Sequence, residues 1–127
     1  MNPAPRIIGV IPARFDSQRL PGKVLLPIGP KAMVQWVYER ARLSPLLDAL
    51  VVATDSDEVM RHCSSLDIPV FRTGRHSSGS DRVHEVMERT DADIYVNIQG
   101  DEPTIRADHI ELLVRPILDD KSEVTTL

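Results

Sequence analysis

Ile11-Pro12-Ala13-Arg14-Phe15-Asp16-Ser17-Gln18-Arg19-Leu20-Pro21-Gly22-Lys23 is the stretch from which the fold is read. It follows the apolar run Ile7-Ile8-Gly9-Val10-Ile11, which reads as a buried strand. A buried parallel strand hands over to a loop at the carboxyl edge of its sheet, where open α/β sheets bind ligands. This loop carries the cations Arg14, Arg19 and Lys23 against the single acid Asp16. Pro12 and Pro21 stiffen it, and Gly22 gives it freedom at one point. A stiff, cationic loop with a glycine, placed at a strand end, suits a polyphosphate. Cations in a loop are also the ordinary make-up of a solvated surface, so the loop alone leaves both readings open. Neither G-x-x-x-x-G-K-[ST] nor G-x-G-x-x-G occurs, so the two commonest phosphate-loop patterns are absent.

Outward from this loop the pattern alternates. The first strand spans roughly 6–12, and a helix near 32–43 follows, with Met33, Trp36, Val37 and Ala41 facing inward. A second strand, Ala49–Ala53, leads to Thr54-Asp55-Ser56, any of which can cap the next helix, with Glu58 in its first turn. On that helix Val59, Met60, Cys63 and Leu66 share a face. Ile68-Pro69-Val70-Phe71 reads as a short strand whose proline puts it at a sheet edge. A loop over 72–79 precedes a helix marked by Val83, Val86 and Met87, with Ser80 as cap and Asp81 in the first turn. Ile94–Ile98 is the fourth strand. A helix near 107–118 presents Ile110, Leu113, Val114 and Ile117, with Pro116 bending or ending it. Glu123–Leu127 opens a fifth strand. Alternation of helices with continuous apolar strands predicts an α/β fold, a mainly parallel sheet with helices on both faces.

The bulk properties bound the function. The 127 residues amount to one domain, and 42% apolar content suffices for a core. A formal charge of −4 argues against a nucleic-acid binder and makes the basic residues local. No apolar run approaches the length of a membrane span, and Met1–Arg6 leads to the first strand without a secretory segment. The lone Cys63 forms no internal disulfide, which fits a reducing cytoplasm, and reads as a small core residue. His62, His76, His84 and His109 are scattered without zinc spacing.

Four blocks in order now carry a resemblance. They are the opening loop, then Val52-Ala53-Thr54-Asp55, then His76-Ser77-Ser78-Gly79-Ser80-Asp81-Arg82, then Val96-Asn97-Ile98-Gln99-Gly100-Asp101-Glu102-Pro103. Together they resemble the sugar-activating cytidylyltransferases, above all the 3-deoxy-manno-octulosonate (Kdo) type. Within the blocks the departures are local: Ser80 stands where threonine is usual, Val24 where proline is, and Gly29-Pro30-Lys31-Ala32-Met33 replaces a Gly-Lys-Pro-Met-like string. The serious departure is that the family's sugar-binding residues and a second metal-binding aspartate have no counterpart in these residues.

The resemblance implies a Rossmann-like nucleotide-diphospho-sugar transferase fold and transfer of CMP from CTP to Kdo for lipopolysaccharide biosynthesis, with release of pyrophosphate. It implies Arg14 and Lys23 as triphosphate ligands. Ala13 and Ser17 belong to the nucleotide site, and Arg19 either touches phosphate or pairs with a carboxylate. Ser78 and Gly79 come closest to the cytosine ring. Gln99 matches the cytosine edge with a donor and an acceptor, Gly100 admits a close backbone approach, and Asp101 ligates Mg²⁺. Arg14, Lys23 and Asp101 are the implied catalytic residues. CTP and Kdo are the implied partners, with no nucleic acid and no membrane insertion, and there is room for a homodimer. Family members are roughly twice this length, consistent with usual domain sizes. The chain is therefore expected to be truncated, with residues 1–127 as the CTP-binding portion, the sugar-binding half absent and little transfer activity alone. The competing readings are a catalytically silent nucleotide-binding remnant, a CMP-sialate synthetase relative and an unrelated flavodoxin-like binding protein.

Overall fold

A computed structural model describes residues 5–14, 23–75 and 79–99, together with Ile110, Leu112, Val114 and 124–126. The strands are β1 (Ile7–Pro12), β2 (Pro27–Ile28), β3 (Lys31–Ala32), β4 (Ala49–Thr54), β5 (Val70–Arg72), β6 (Ile94–Asn97) and β7 (Val124–Thr126). The helices are α1 (Met33–Ala41), α2 (Asp57–Ser65) and α3 (Gly79–Arg89), and a 3₁₀ turn covers Lys23–Leu25. Ile110, Leu112 and Val114 are helical as well.

Five strands form one sheet in the order β5-β4-β1-β6-β7, and every neighbouring pair is parallel. All six residues of β1 are buried, because the strand lies at the centre with helices on both faces. Its side chains alternate between two cores. Ile7 and Ile11 join Leu50, Val52, Ile94, Val96 and Ile98 on the face covered by α1 and α2. Ile110 and Val114 pack on that side too. Ile8 and Val10 join Ala53, Tyr95, Val83 and Val86 on the face covered by α3. At the amino edge, Asp48 accepts from the Ile7 N–H and Asp93 from the Arg6 N–H, each at 2.7 Å.

The edge position expected of the third sheet strand holds, although β5 begins at Val70 and leaves Pro69 just outside. The fifth strand is β7, beside β6.

Three details of the elements differ from the sequence reading. In α1 the buried residues are Val34, Val37 and Ala41, whereas Met33 and Trp36 are only half-buried. Trp36 is drawn aside by a small antiparallel hairpin of β2 and β3, where its indole N–H donates to the Ile28 carbonyl at 2.7 Å and Lys31 lies over its ring at 4.7 Å. Gly29 turns that hairpin at φ 63°, and Pro30 supplies the fixed negative φ that follows. In α2, Val59 and Cys63 are buried, but Leu66 is the C-cap and is exposed. In α3 the helix already begins at Gly79, so Ser80 lies within its first turn and is not the cap.

Candidate functional site

The chain runs outward from β1 through β4 to β5, then returns to β1's other side as β6. The order therefore reverses between β1 and β6, and a crevice opens outside the carboxyl ends of strands at such a switch point. Val10 pairs with Asn97, and the Ile98 N–H donates to the Val10 carbonyl at 2.8 Å. Two positions beyond that pair lie Pro12, the last residue of β1, and Gln99, just past the end of β6. Arg14 is exposed just beyond β1, and Gln99 is half-buried just beyond β6. Of the four residues expected to converge at this edge, Arg14 and Gln99 follow neighbouring strands, the Lys23 side chain is not described, and Asp101 lies outside the described residues.

Ala13 lies between the strand and Arg14. Its side chain is fully buried and its N–H donates to the Ala53 carbonyl at 2.9 Å, so neither is available to a ligand. Lys23 opens the 3₁₀ turn and Gly79 opens α3, but the Lys23 side chain is not among the described atoms. Ser17, Arg19, Ser78, Gly100 and Asp101 lie outside the described residues. Among the described residues no three His, Cys, Asp or Glu side chains gather as a metal site.

Two residues of this edge carry no assigned role in the sequence reading. Arg82 is 1% exposed and is the largest fully buried side chain among the described residues. Its Nη1 donates to Thr73 Oγ1 at 2.5 Å and to the Gly74 carbonyl at 3.1 Å, and lies 3.7 Å from Asp55 Oδ1. Burial lowers the pKa of this guanidinium, the Asp55 carboxylate opposes that shift, and the positive charge of Arg14 adds to it. Arg14 and Arg82 thus feel one another across the edge. Among the described residues, Nε of Arg82 has no hydrogen-bond partner. Asn97, at the end of β6, is 1% exposed, and neither end of its amide has a partner among the described residues. Buried polar groups are seldom left unpaired, and exceptions gather where function needs them. Arg82 is followed by Val83 and lies one turn before Val86, but an arginine beside an apolar stripe is ordinary surface in sequence terms and gave no sign of burial. Asn97 carries no mark either, because its strand is apolar on both faces.

The cytidylyltransferase family model matches residues 8–127. The chain belongs to that family. The 3-deoxy-manno-octulosonate cytidylyltransferase of Koribacter versatilis is 44% identical over 99% of this chain and 51% of its own length. That of Pelobacter propionicus is 48% identical over 91% of this chain and 46% of its own. Among solved structures, CMP:2-keto-3-deoxy-manno-octonic acid synthetase complexed with CTP superposes with a TM-score of 0.88 at 45% identity, over 91% of this chain and 48% of that one. The chain spans about half the length of the curated relatives it matches. The fold is the one the sequence implies, a nucleotide-diphospho-sugar transferase sheet, parallel throughout its described five strands. No helix among the described residues is long and apolar enough to cross a membrane.

Proposed function

We propose that residues 1–127 carry the CTP-binding portion of an enzyme that transfers CMP from CTP to Kdo and releases pyrophosphate. The observation that carries this reading is the meeting of the β1 and β6 ends at the switch point, in a chain of the cytidylyltransferase family. The names of the relatives support the donor and the acceptor.

In this reading a sugar hydroxyl attacks the α-phosphorus of CTP and pyrophosphate departs. The triphosphate holds about four negative charges near neutral pH, and more gather on the leaving oxygens, so positioning and charge stabilisation dominate the barrier. Arg14 grips phosphate oxygens with a planar fork, and Lys23 adds a point charge. Ser17 donates a hydroxyl. Ser78 and the Gly79 backbone face the cytosine, and Gln99 offers its edge both a donor and an acceptor. Ala13, with its N–H engaged, contributes only through the chain path it sets for Arg14. Asp101 is the residue proposed to hold Mg²⁺, a cation that favours hard oxygen ligands and would draw charge from the phosphate oxygens when bound. A cytoplasmic setting, Kdo as acceptor and a homodimer belong to the same proposal.

Calorimetric titration with the four nucleoside triphosphates in the presence of Mg²⁺ tests it. CTP should bind best. Lys23→Ala should weaken CTP binding by roughly 1–3 kcal/mol, the worth of a charge-assisted hydrogen bond. Equal affinity for all four nucleotides, or unchanged affinity in the Lys23 variant, would overturn the reading.

A further inference from the structure

Arg82 joins three elements at one point. Thr73 and Gly74 follow β5, Asp55 follows β4, and Arg82 itself stands in the first turn of α3. One guanidinium reaches all of them, by hydrogen bonds of 2.5 and 3.1 Å and an ion pair of 3.7 Å. The contacts continue along α3. The Gly74 N–H donates to Glu85 Oε1 at 2.9 Å. Arg89 Nη1 donates to the Arg72 carbonyl at 3.1 Å and pairs with Glu85 at 3.2 Å. Positions 82, 85 and 89 are three and four apart and so lie on one helical stripe.

The two ends of this polar seam differ in place and in burial. The Arg89 side chain is 56% exposed and lies over Phe71. Its backbone is two helical turns, about 10 Å, from that of Arg82, and its guanidinium reaches back to the last residue of β5. The Arg82 side chain is 1% exposed and lies at that edge, three residues from Gly79. The cost of enclosing it is that of a buried cation, which is tolerated only when paired and hydrogen-bonded. An aliphatic side chain beside Val83 would pack α3 on the sheet without that cost, so packing alone does not explain an arginine here.

We propose that Arg82 is a positioning residue for the nucleotide site: by tying Thr73, Gly74 and Asp55 to the first turn of α3, it fixes where the Gly79 backbone stands relative to Arg14. The inference rests on the reading of this edge as a CTP site. Arg82 touches no ligand in this role, because its surface is already enclosed. Lysine keeps the charge but has no planar fork to bridge two acceptors, and methionine keeps neither.

The test pairs hydrogen exchange without nucleotide with CTP calorimetry in Mg²⁺, on the 127-residue chain and on Arg82→Met, Arg82→Lys and Arg89→Met. Arg82→Met should speed exchange at the Thr73 amide, which donates to the Thr54 carbonyl beside Asp55, and weaken CTP binding about tenfold, the worth of one hydrogen bond at a displaced Gly79 backbone. Arg82→Lys should recover part of both. Arg89→Met should lower the melting temperature yet hold CTP affinity within about twofold, since it cuts the exposed end of the seam and leaves the bonds to Thr73, Gly74 and Asp55 in place. Equal loss of affinity in Arg82→Met and Arg89→Met would reduce Arg82 to a helix stabiliser. Unchanged exchange at Thr73 in Arg82→Met would overturn the tie itself. If Arg82→Met does not fold, Thr73→Val removes one acceptor and should shift exchange and affinity in the same direction, more mildly. A wild-type chain silent to CTP would refute the nucleotide reading. The tie is then decided by exchange alone, faster in the variant if it stands and unchanged if it falls.

Discussion

Cys63 lies on the inward face of α2 with no exposed surface, among the core side chains of the α1 and α2 side. Burial disfavours the thiolate and pushes the thiol up from 9.0 to about 11. A thiol that stays protonated and enclosed is inert. At pH 8 a thiol reagent should leave the native protein unlabelled and modify one group only after denaturant is added. The linkage has a definite sign. The unfolded chain loses this proton near 9.0 while the folded chain keeps it to about 11, so the folded state binds more protons in that window. Stability from this group is complete below pH 9 and is lost as pH rises towards 11, which urea titrations across that range would show. The core role of Cys63 was readable from its helical position beside Val59. The burial of Arg82 was not, because arginine is almost never fully enclosed unless tertiary partners exist, and Thr73 and Asp55 are adjacent to it only after folding.

Elements were legible where one periodicity dominates and less so where two surfaces compete for the same residue. Strands β1, β4 and β6 appear as unbroken apolar runs because both of their faces are covered. Helix α1 is ambiguous, since Met33, Val34, Trp36, Val37 and Tyr38 offer apolar surface in almost every direction. The hairpin of β2 and β3 resolves it by taking Trp36, and that hairpin consists of two strands of two residues, too short to show a period. Helix α2 has both of its ends defined. Ser56 accepts from the Val59 N–H, and Asp57 and Glu58 occupy the first turn. At the other end Asp67 adopts φ 57°, and the Ile68 N–H returns to the Cys63 carbonyl at 2.9 Å. That turn swings the chain outward at Leu66, which explains why a residue on the apolar stripe is exposed. Ser56→Ala should cost about 1 kcal/mol, measured as a lower urea midpoint at unchanged slope. The helix would persist, because Val59 and Cys63 still anchor it.

At the scale of the molecule, the sheet order places β1 between β4 and β6 and puts β5 and β7 at the two edges. An edge for β5 was readable from Pro69, and a parallel sheet from the alternation. The order itself was not, since apolar runs of like composition do not say which neighbour each will choose. For the same reason the reversal between β1 and β6, which sets the site, belongs to topology more than to any one motif. The central strand should also be the most protected. Backbone amides of Val10 and Ile11 are expected to exchange only through global unfolding, while those of Phe71 in edge strand β5 exchange through local opening as well. Denaturant-dependent hydrogen exchange that found β5 as slow as β1 would contradict this arrangement.

The place of β1 also bears on how the chain is made. Its first neighbour, β4, begins at residue 49, but its second, β6, does not begin until residue 94. At translation speeds of about 5–20 residues per second, on the order of ten seconds pass between the emergence of β1 and that of β6. Through that interval one flank of the most apolar strand has an open row of backbone donors and acceptors. Such a flank is a template for pairing with another nascent chain. Yield in the cell should therefore follow the supply of holdase chaperones on the ribosome and the spacing of ribosomes on the message, even for variants whose finished structures are equally stable.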